Sequence, residues 1–421
     1  MTLISLRQLG VWVLLVHLGM SGSSAYAIDF ILPGVESKAA AGAGQTVSRG
    51  ASALFFNPAN VILSQGIEPE ADVSLAKITY SYQNADTDTF EPAVLGITTP
   101  TASFGGAWRA TPTIALGLEV LPLGVGSAQE YFGAPVEVTA GSTQAMDVSR
   151  KEVAAKVAAG GAFRFLKRYT IGLGFIYTSE RSSIRTKNAG TERISTEASY
   201  AGRSLQPNLG ARIDVGYGAI LGFSYRPAAT RPYKGTLSIN TAQEGSPTSF
   251  QSGDFTGKAY DPAALGAGVE WRFSDYGLFG DLVYKYWAAG RTISKSGLGA
   301  DPEEVDLVNT ADWVIGGKYW FNTNHLAQLA IGINGANTGN GSQLSTEGNS
   351  RAVAGMQLGQ TEAIGRTLLS AGYSYKLGPG RQIEAAAMIL NGRREVPAGY
   401  SQPGAFKLQA FVTTLGCNFA L

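Results

Sequence analysis

Charge and sulfur are scarce in this 421-residue chain. Only 15% of its residues are charged, against about 25% in an ordinary soluble domain. One cysteine, Cys417, excludes a disulfide framework, a cysteine zinc site and an iron–sulfur cluster. Two histidines, His17 and His325, leave little material for catalysis or metal binding. The 33 basic residues nearly cancel the 32 acidic ones, so no general affinity for nucleic acid is indicated. No segment approaches eighteen consecutive apolar residues, the length a membrane-spanning helix needs. These shortages argue against an enzyme and against any cofactor or metal. What is abundant is glycine, at 54 residues nearly twice its usual share of about 7%. A hydrophobic content of 44% excludes a disordered chain.

The first residues indicate export. Arg7 gives a short positive region, Val11 to Met20 an apolar stretch, and Ala25-Tyr26-Ala27 the small-x-small pattern of a signal peptidase site. Cleavage is expected after Ala27, which removes His17. Ten apolar residues are too few to cross about 30 Å of hydrocarbon as an anchor. An exported chain without a spanning helix is either soluble or a membrane β-barrel.

Period-two alternation decides for the barrel. Leu265, Ala267, Val269, Trp271 and Phe273 share one face, against Ala264, Gly266, Gly268, Glu270 and Arg272. Trp313, Ile315, Tyr319 and Phe321 repeat the pattern, as do Leu369, Ala371, Tyr373, Tyr375 and Leu377. Ile171, Leu173, Phe175 and Tyr177 do so opposite Thr170, Gly172 and Gly174. A soluble sandwich would carry many charges on its second face; here that face is small and sparsely charged, as a filled lumen requires. Counting such segments gives fourteen antiparallel transmembrane strands, the first from 71 to 83 and the last from 405 to 419. Tight turns such as Lys167-Arg168 and Gly378 to Gly380 alternate with longer polar connections at 84–100, 124–149, 242–255, 296–308 and 338–362. Short periplasmic turns and long outer loops are the expected asymmetry in the outer membrane of a Gram-negative bacterium. The ending Gly416-Cys417-Asn418-Phe419-Ala420-Leu421 looks like the signal read by the barrel assembly machinery, with Leu421 in place of the usual terminal Phe. Outer-membrane lipid and lipopolysaccharide are then its surroundings.

Between the leader (1–27) and the barrel (71–421), residues 28–70 lack sustained alternation. They are rich in Ala and Gly and end in Leu54-Phe55-Phe56-Asn57-Pro58-Ala59-Asn60. Small residues with paired aromatics suit a compact plug inside a barrel wide enough to need filling.

At this point the chain resembles the FadL-type outer-membrane transporters of long-chain fatty acids, a family that includes aromatic-hydrocarbon uptake channels. Asn57-Pro58-Ala59, after the Gly/Ala-rich stretch, is similar to the family's hatch motif. Ile114-Ala115-Leu116-Gly117-Leu118-Glu119-Val120-Leu121-Pro122-Leu123-Gly124 resembles its third strand. Leu221 to Pro227 with Lys234-Gly235 resembles its seventh strand, and Asp281 to Trp287 its ninth. The resemblance implies an all-β fold, a fourteen-strand barrel with an N-terminal hatch. It also implies that hydrophobic ligands bind in the lumen and leave sideways by passive diffusion through a gap at the third strand. Pro122 lacks an N–H, and Gly117 and Gly124 tolerate bending, so these three mark the expected opening. Alternatively, Pro122 ends the strand before the connection 124–149. The family's third external loop is long; the corresponding connection here, 188–194, is short and polar. The connection 124–149, with Tyr131, Phe132 and Val136, is expected to substitute as the capture site.

Assigning the small face to the lumen turns Arg109, Lys156, Arg164, Arg212, Arg226, Arg272, Lys285, Lys318 and Lys376 inward, against Glu119, Glu270, Asp281 and Glu384. Those near short turns suit rim or hatch salt bridges. Lys156, Arg226 and Lys285 lie deeper and are expected to meet an anionic head group such as a carboxylate, with Phe55 and Phe56 as apolar contacts. His325, in a turn with no carboxylate nearby in sequence, does not suit a hydrolase. Asp301 to Asp306 reads as a solvated outer loop rather than a calcium site. A porin-like channel for polar solutes is the alternative to a hydrophobic-compound transporter.

Overall fold

The structure, a computed structural model, describes residues 32–84, 95–139, 142–188, 192–243, 249–287, 291–296, 303–306, 308–336, 365–378, 380–396 and 404–420. Fourteen strands form one antiparallel sheet closed on itself. They are β1 Ile67–Asn84, β2 Leu95–Thr111, β3 Ile114–Thr139, β4 Ser142–Phe165, β5 Tyr169–Asn188 and β6 Glu192–Gly216. β7 runs Ala219–Arg226 and resumes as Ala229–Gln243; β8 runs Ser249–Asp261 and resumes as Ala263–Arg272. β9 is Tyr276–Tyr286 with Arg291–Ser296, and β10 is Glu303–Asp306 with Thr310–Trp320. β11 His325–Asn334, β12 Arg366–Gly378, β13 Arg381–Val396 and β14 Gly404–Phe419 complete the wall. Pairing of β1 with both β2 and β14 closes the sheet into a barrel. Among the described residues no helix is long and apolar enough to cross a membrane.

The alternation read from the sequence becomes an outside and an inside. Leu265, Leu278, Ile315, Leu329, Leu369 and Leu415 stand exposed on the outer face, while Ala264, Glu270, Val314, Ala330, Leu368 and Thr414 are buried within. At the short-turn end the outer face carries an aromatic belt. Phe165 stacks on Tyr169 at 5.6 Å, Phe273 on Tyr276 at 4.4 Å, and His325 lies 4.7 Å from Tyr375. Amphipathic rings settle where hydrocarbon meets head groups. His325 begins β11, hydrogen-bonded through Nδ1 to Tyr373, and so belongs to this belt. If the outer face meets hydrocarbon, Leu265→Arg is expected to cost about 2–4 kcal/mol of barrel stability, read from folding titrations into bilayers.

Several boundaries differ from the sequence reading. β1 begins at Ile67 rather than 71. The connection 124–149 is not a loop: β3 runs on to Thr139 and β4 starts at Ser142. β2 starts at Leu95, β8 at Ser249, and Glu303–Asp306 is a short strand. The proposed connection 338–362 lies outside the described residues. The reason is physical. About 9–11 strand residues cross a bilayer, whereas β3 has 26 and β6 has 25. Beyond the bilayer neither face must be apolar, so pairing continues while alternation fades.

Two strand breaks fall at Pro227 and Pro262, which have no N–H to offer a ladder. Gln206 Nε2 bridges both, donating to Pro227 O at 2.8 Å and Pro262 O at 3.2 Å.

Candidate functional site in the barrel lumen

Residues 33–66 lie against inward-facing positions around the barrel. A short helix α1, Val35–Ala39, packs on β11 to β14, and two 3-10 turns, Ser52–Phe55 and Pro58–Leu63, pack on β3 to β6. Glycine on the wall makes room for this chain. A side chain at Gly172 would run into the backbone of Pro58 and Ala59, one at Gly210 into Asn57 and Pro58, and one at Gly222 into Gln45. Gly117 has the same use. It sits in regular ladder between Ala107 and Gly160, and a Cβ there would meet Leu54 and Val61. It therefore serves packing rather than bending.

Asn57, fully buried, organises the turn that follows it. Its Oδ1 accepts from Ala59 N at 3.2 Å, with Pro58 placed at the first helical position. Its Nδ2 donates to Gln45 O at 2.8 Å and to Ala211 O on β6 at 3.0 Å. Asn208 Nδ2 reaches Leu54 O at 2.9 Å, and Arg212 Nη1 reaches Asn60 Oδ1 at 3.1 Å.

Charged contacts fasten the rest. Lys38 and Asp72 are almost wholly buried, with Nζ 2.6 Å from Oδ1. Lys38 also donates to Ser74 Oγ at 2.8 Å, while Asp72 Oδ2 accepts from Ser103 Oγ at 2.6 Å and Gly34 N at 3.0 Å. Asp281 Oδ2 accepts from Gly44 N at 2.6 Å and Gln45 N at 2.7 Å. Lys318 lies 3.0 Å from Glu36 and 3.4 Å from Glu270, which also pairs with Arg272 at 2.9 Å. Of the inward charges read from the sequence, Arg212, Lys318, Asp281, Glu270 and Arg272 thus hold or support the inner segment.

Phe55 packs with Leu54, Val61, Ile62, Leu121, Ala158 and Ile176 in one apolar cluster, and Phe56 leans on it. A Cβ at Gly44 would enter the Phe56 ring, so that ring caps the Gly/Ala-rich stretch.

Leu121 in this cluster stands where the wall changes. The ladder between β2 and β3 runs from Thr111↔Ile114 to Phe104↔Val120 and stops. β2 continues back to Leu95 paired only with β1. β3 continues forward paired only with β4, and its register shifts between Pro122 and Val125, three residues spanning two of β4. Pro122 and Gly124 therefore lie at an interruption, and Pro122 does not end the strand. Above Val120 the wall lacks described hydrogen bonds on one side, with buried apolar Leu121 and Phe55 beneath.

The deeper cations occupy two places. Lys156 is half-buried on β4, opposite Leu121. Arg226 and Lys285 flank Ala264 on neighbouring strands, and Lys285 pairs with Asp312 at 3.1 Å. The sequence reading missed Arg366. It is 3% exposed, opposite Asn334, and its Nε and Nη1 find no acceptor among the described residues. Its position on the Ser370 and Gly372 face of β12 was the available signal.

At the short-turn end a cavity of about 340 Å³ lies under the inner segment, bordered by Glu36, Arg49, Glu70, Glu119, Lys376 and Glu384 among others.

No family model and no curated protein matches the chain. Solved structures do match. A FadL homologue of Pseudomonas aeruginosa is 12% identical, with 91% of this chain and 97% of that one covered at a TM-score of 0.72. The Pseudomonas putida toluene transporter TodX is 13% identical, with coverages of 93% and 99% and a TM-score of 0.69. The Ralstonia pickettii toluene transporter TbuX is 14% identical, covering 94% and 100% at 0.65. At such identities the likeness is one of fold.

Proposed function

We propose that this chain, which has the FadL-type fold, is an outer-membrane channel that passes hydrophobic compounds, first among them long-chain fatty acids, by passive diffusion. Its short-turn end faces the periplasm, and residues 33–66 act as a hatch. Ligand enters from outside, rests in the lumen above the hatch, and leaves sideways between β2 and β3 into the membrane. The observation that carries this reading is the end of the ladder at Phe104↔Val120 while both strands run on, directly above the cluster of Leu121, Phe55 and Leu54. Sideways exit suits the chemistry, because an apolar solute gains nothing from release into water. Outer-membrane lipid and lipopolysaccharide surround the outer face, and the barrel assembly machinery inserts the chain.

For a carboxylate head group, Arg366 is the best-placed cation, since its buried Nε and Nη1 have no acceptor among the described residues and gain one from the ligand. Lys156 beside the wall interruption is the next candidate, followed by Arg226 and by Lys285, which pairs with Asp312. A porin for polar solutes is disfavoured by the inner segment packed across the lumen.

The test is competition of a fluorescent long-chain fatty acid on purified protein, with mass spectrometry of co-extracted small molecules. Saturable binding weakened at least about tenfold by Arg366→Gln, a loss of about 1.4 kcal/mol, is expected. Binding of neutral aromatic hydrocarbons alone, insensitive to Arg366, Lys156 and Arg226, would move the substrate class to hydrocarbons. Absence of any apolar ligand would contradict a transporter.

A further inference from the structure

We propose that Glu70 and Glu119 hold a hard divalent cation of the calcium type in the cavity beneath the hatch. In the sheet register Glu70 of β1 faces Gly105 of β2, and Gly105 faces Glu119 of β3. The two inward carboxylates therefore meet across a residue that has no side chain, and a Cβ at Gly105 would run into Glu119 Oε2. Glu119 is 0% exposed, and neither of its carboxylate oxygens has a hydrogen-bond partner among the described residues. Glu70 gives Oε1 to Ser52 N at 2.6 Å.

The other carboxylates that border the cavity have donors. Asp72 is held by Lys38, and Glu36 by Lys318 and Arg49. Glu384 accepts from Gln382 at 2.6 Å and Ser374 at 3.2 Å, and Glu68 accepts from Asn418 at 2.6 Å. Among these carboxylates Glu119 alone has no described hydrogen-bond donor on either oxygen, and it stands beside the half-buried carboxylate of Glu70, an arrangement that burial penalises heavily. Both residues border a cavity with room for water. Two carboxylates completed by water form an all-oxygen donor set, which suits calcium or magnesium rather than zinc or copper. Calcium tolerates the irregular geometry such a site imposes.

The placement gives the cation a use. Glu119 lies one residue before Val120, where the β2–β3 ladder ends, and Glu70 holds the hatch through Ser52. A cation between them braces the base of the interruption and ties it to the hatch. This inference does not depend on what the channel carries.

The experiment is equilibrium binding of radioactive calcium to the full chain in detergent, freed of divalent cations beforehand, with unfolding temperature recorded in parallel. Wild type is expected to show a single saturable site and an unfolding temperature raised by calcium. Losing partners of a metal ligand already costs about 10–100-fold in affinity, so Glu119→Gln and Glu70→Gln are expected to lose at least about a hundredfold. Glu384→Gln, whose carboxylate has other donors, is expected to bind like wild type. If Glu119→Gln does not fold, Glu119→Asp keeps the charge on a shorter arm and is expected to bind with intermediate affinity. Wild type without saturable binding, or Gln variants that bind equally well, would overturn the site. So would a Glu119→Gln chain stabilised without calcium beside a calcium-insensitive wild type, the mark of a pair that shares only a proton.

Discussion

Replacing Gly172 with valine is expected to convert a closed barrel into an open pore. A Cβ at this position enters the backbone of Pro58 and Ala59, and backbone cannot swing aside as a flexible side chain does. Overpacking a tight site costs about 1–3 kcal/mol, and here the strain falls on the seat of the inner segment, the proposed hatch. The strand itself is favoured by valine, and Gly172 pairs in ordinary ladder with Ala162 and Gly210. The barrel is therefore expected to form while Asn57 and its turn are displaced. In planar bilayers wild type is expected to stay almost silent, and Gly172→Val to conduct salt steadily. A silent variant whose residues 33–64 remain protected from protease would show that the hatch finds room elsewhere.

Breaking the buried pair of Lys38 and Asp72 is expected to have the second largest effect, and an unequal one. Removing one partner of a buried ion pair costs about 3–5 kcal/mol, because the other charge stays behind in a poor solvent. Asp72 without Lys38 keeps Ser103 Oγ and Gly34 N as donors. Among the described residues, Lys38 without the Asp72 carboxylate keeps Ser74 Oγ as its other hydrogen-bond acceptor. Asp72→Asn is therefore expected to loosen the inner segment more than Lys38→Met, and the double change to cost less than the two single costs added. Hydrogen exchange over residues 33–64 measures the opening free energy. Equal losses that simply add would mean that the pair is solvated and does not latch the inner segment to the wall.

The wall was legible in the sequence because the bilayer writes itself into strands with period two. Leu265, Val269 and Trp271 stand outside, and Ala264 and Glu270 inside, as alternation alone requires. What lay beyond the bilayer was not legible. The β3–β4 hairpin extends to Thr139 and Ser142 through residues such as Gly126, Gln129 and Glu130, which carry no apolar face to betray pairing. Within the lumen, residue type was readable but partnership was not. Lys318 and Asp281 were placed inside correctly, yet that they grip Glu36 and the amides of Gly44 and Gln45 depends on how a segment without periodicity folds back. The meeting of Glu70 with Glu119 over Gly105 needs the register of three strands. Pro122 could be flagged as a donor missing from a ladder, but only the stop at Phe104↔Val120 tells an interrupted strand from a finished one.

Stapling the wall tests the central claim most directly. Ser103 and Leu121 would face each other if the ladder continued one rung past Phe104↔Val120. A chain carrying Ser103→Cys, Leu121→Cys and Cys417→Ser offers a disulfide across the interruption. The measurement is uptake of radiolabelled long-chain fatty acid into cells that depend on this channel, under oxidation and after a reductant. Lateral exit predicts uptake blocked while the disulfide stands and restored when it is reduced, with surface binding of ligand retained throughout. Uptake unchanged by a disulfide shown to have formed would contradict exit between β2 and β3.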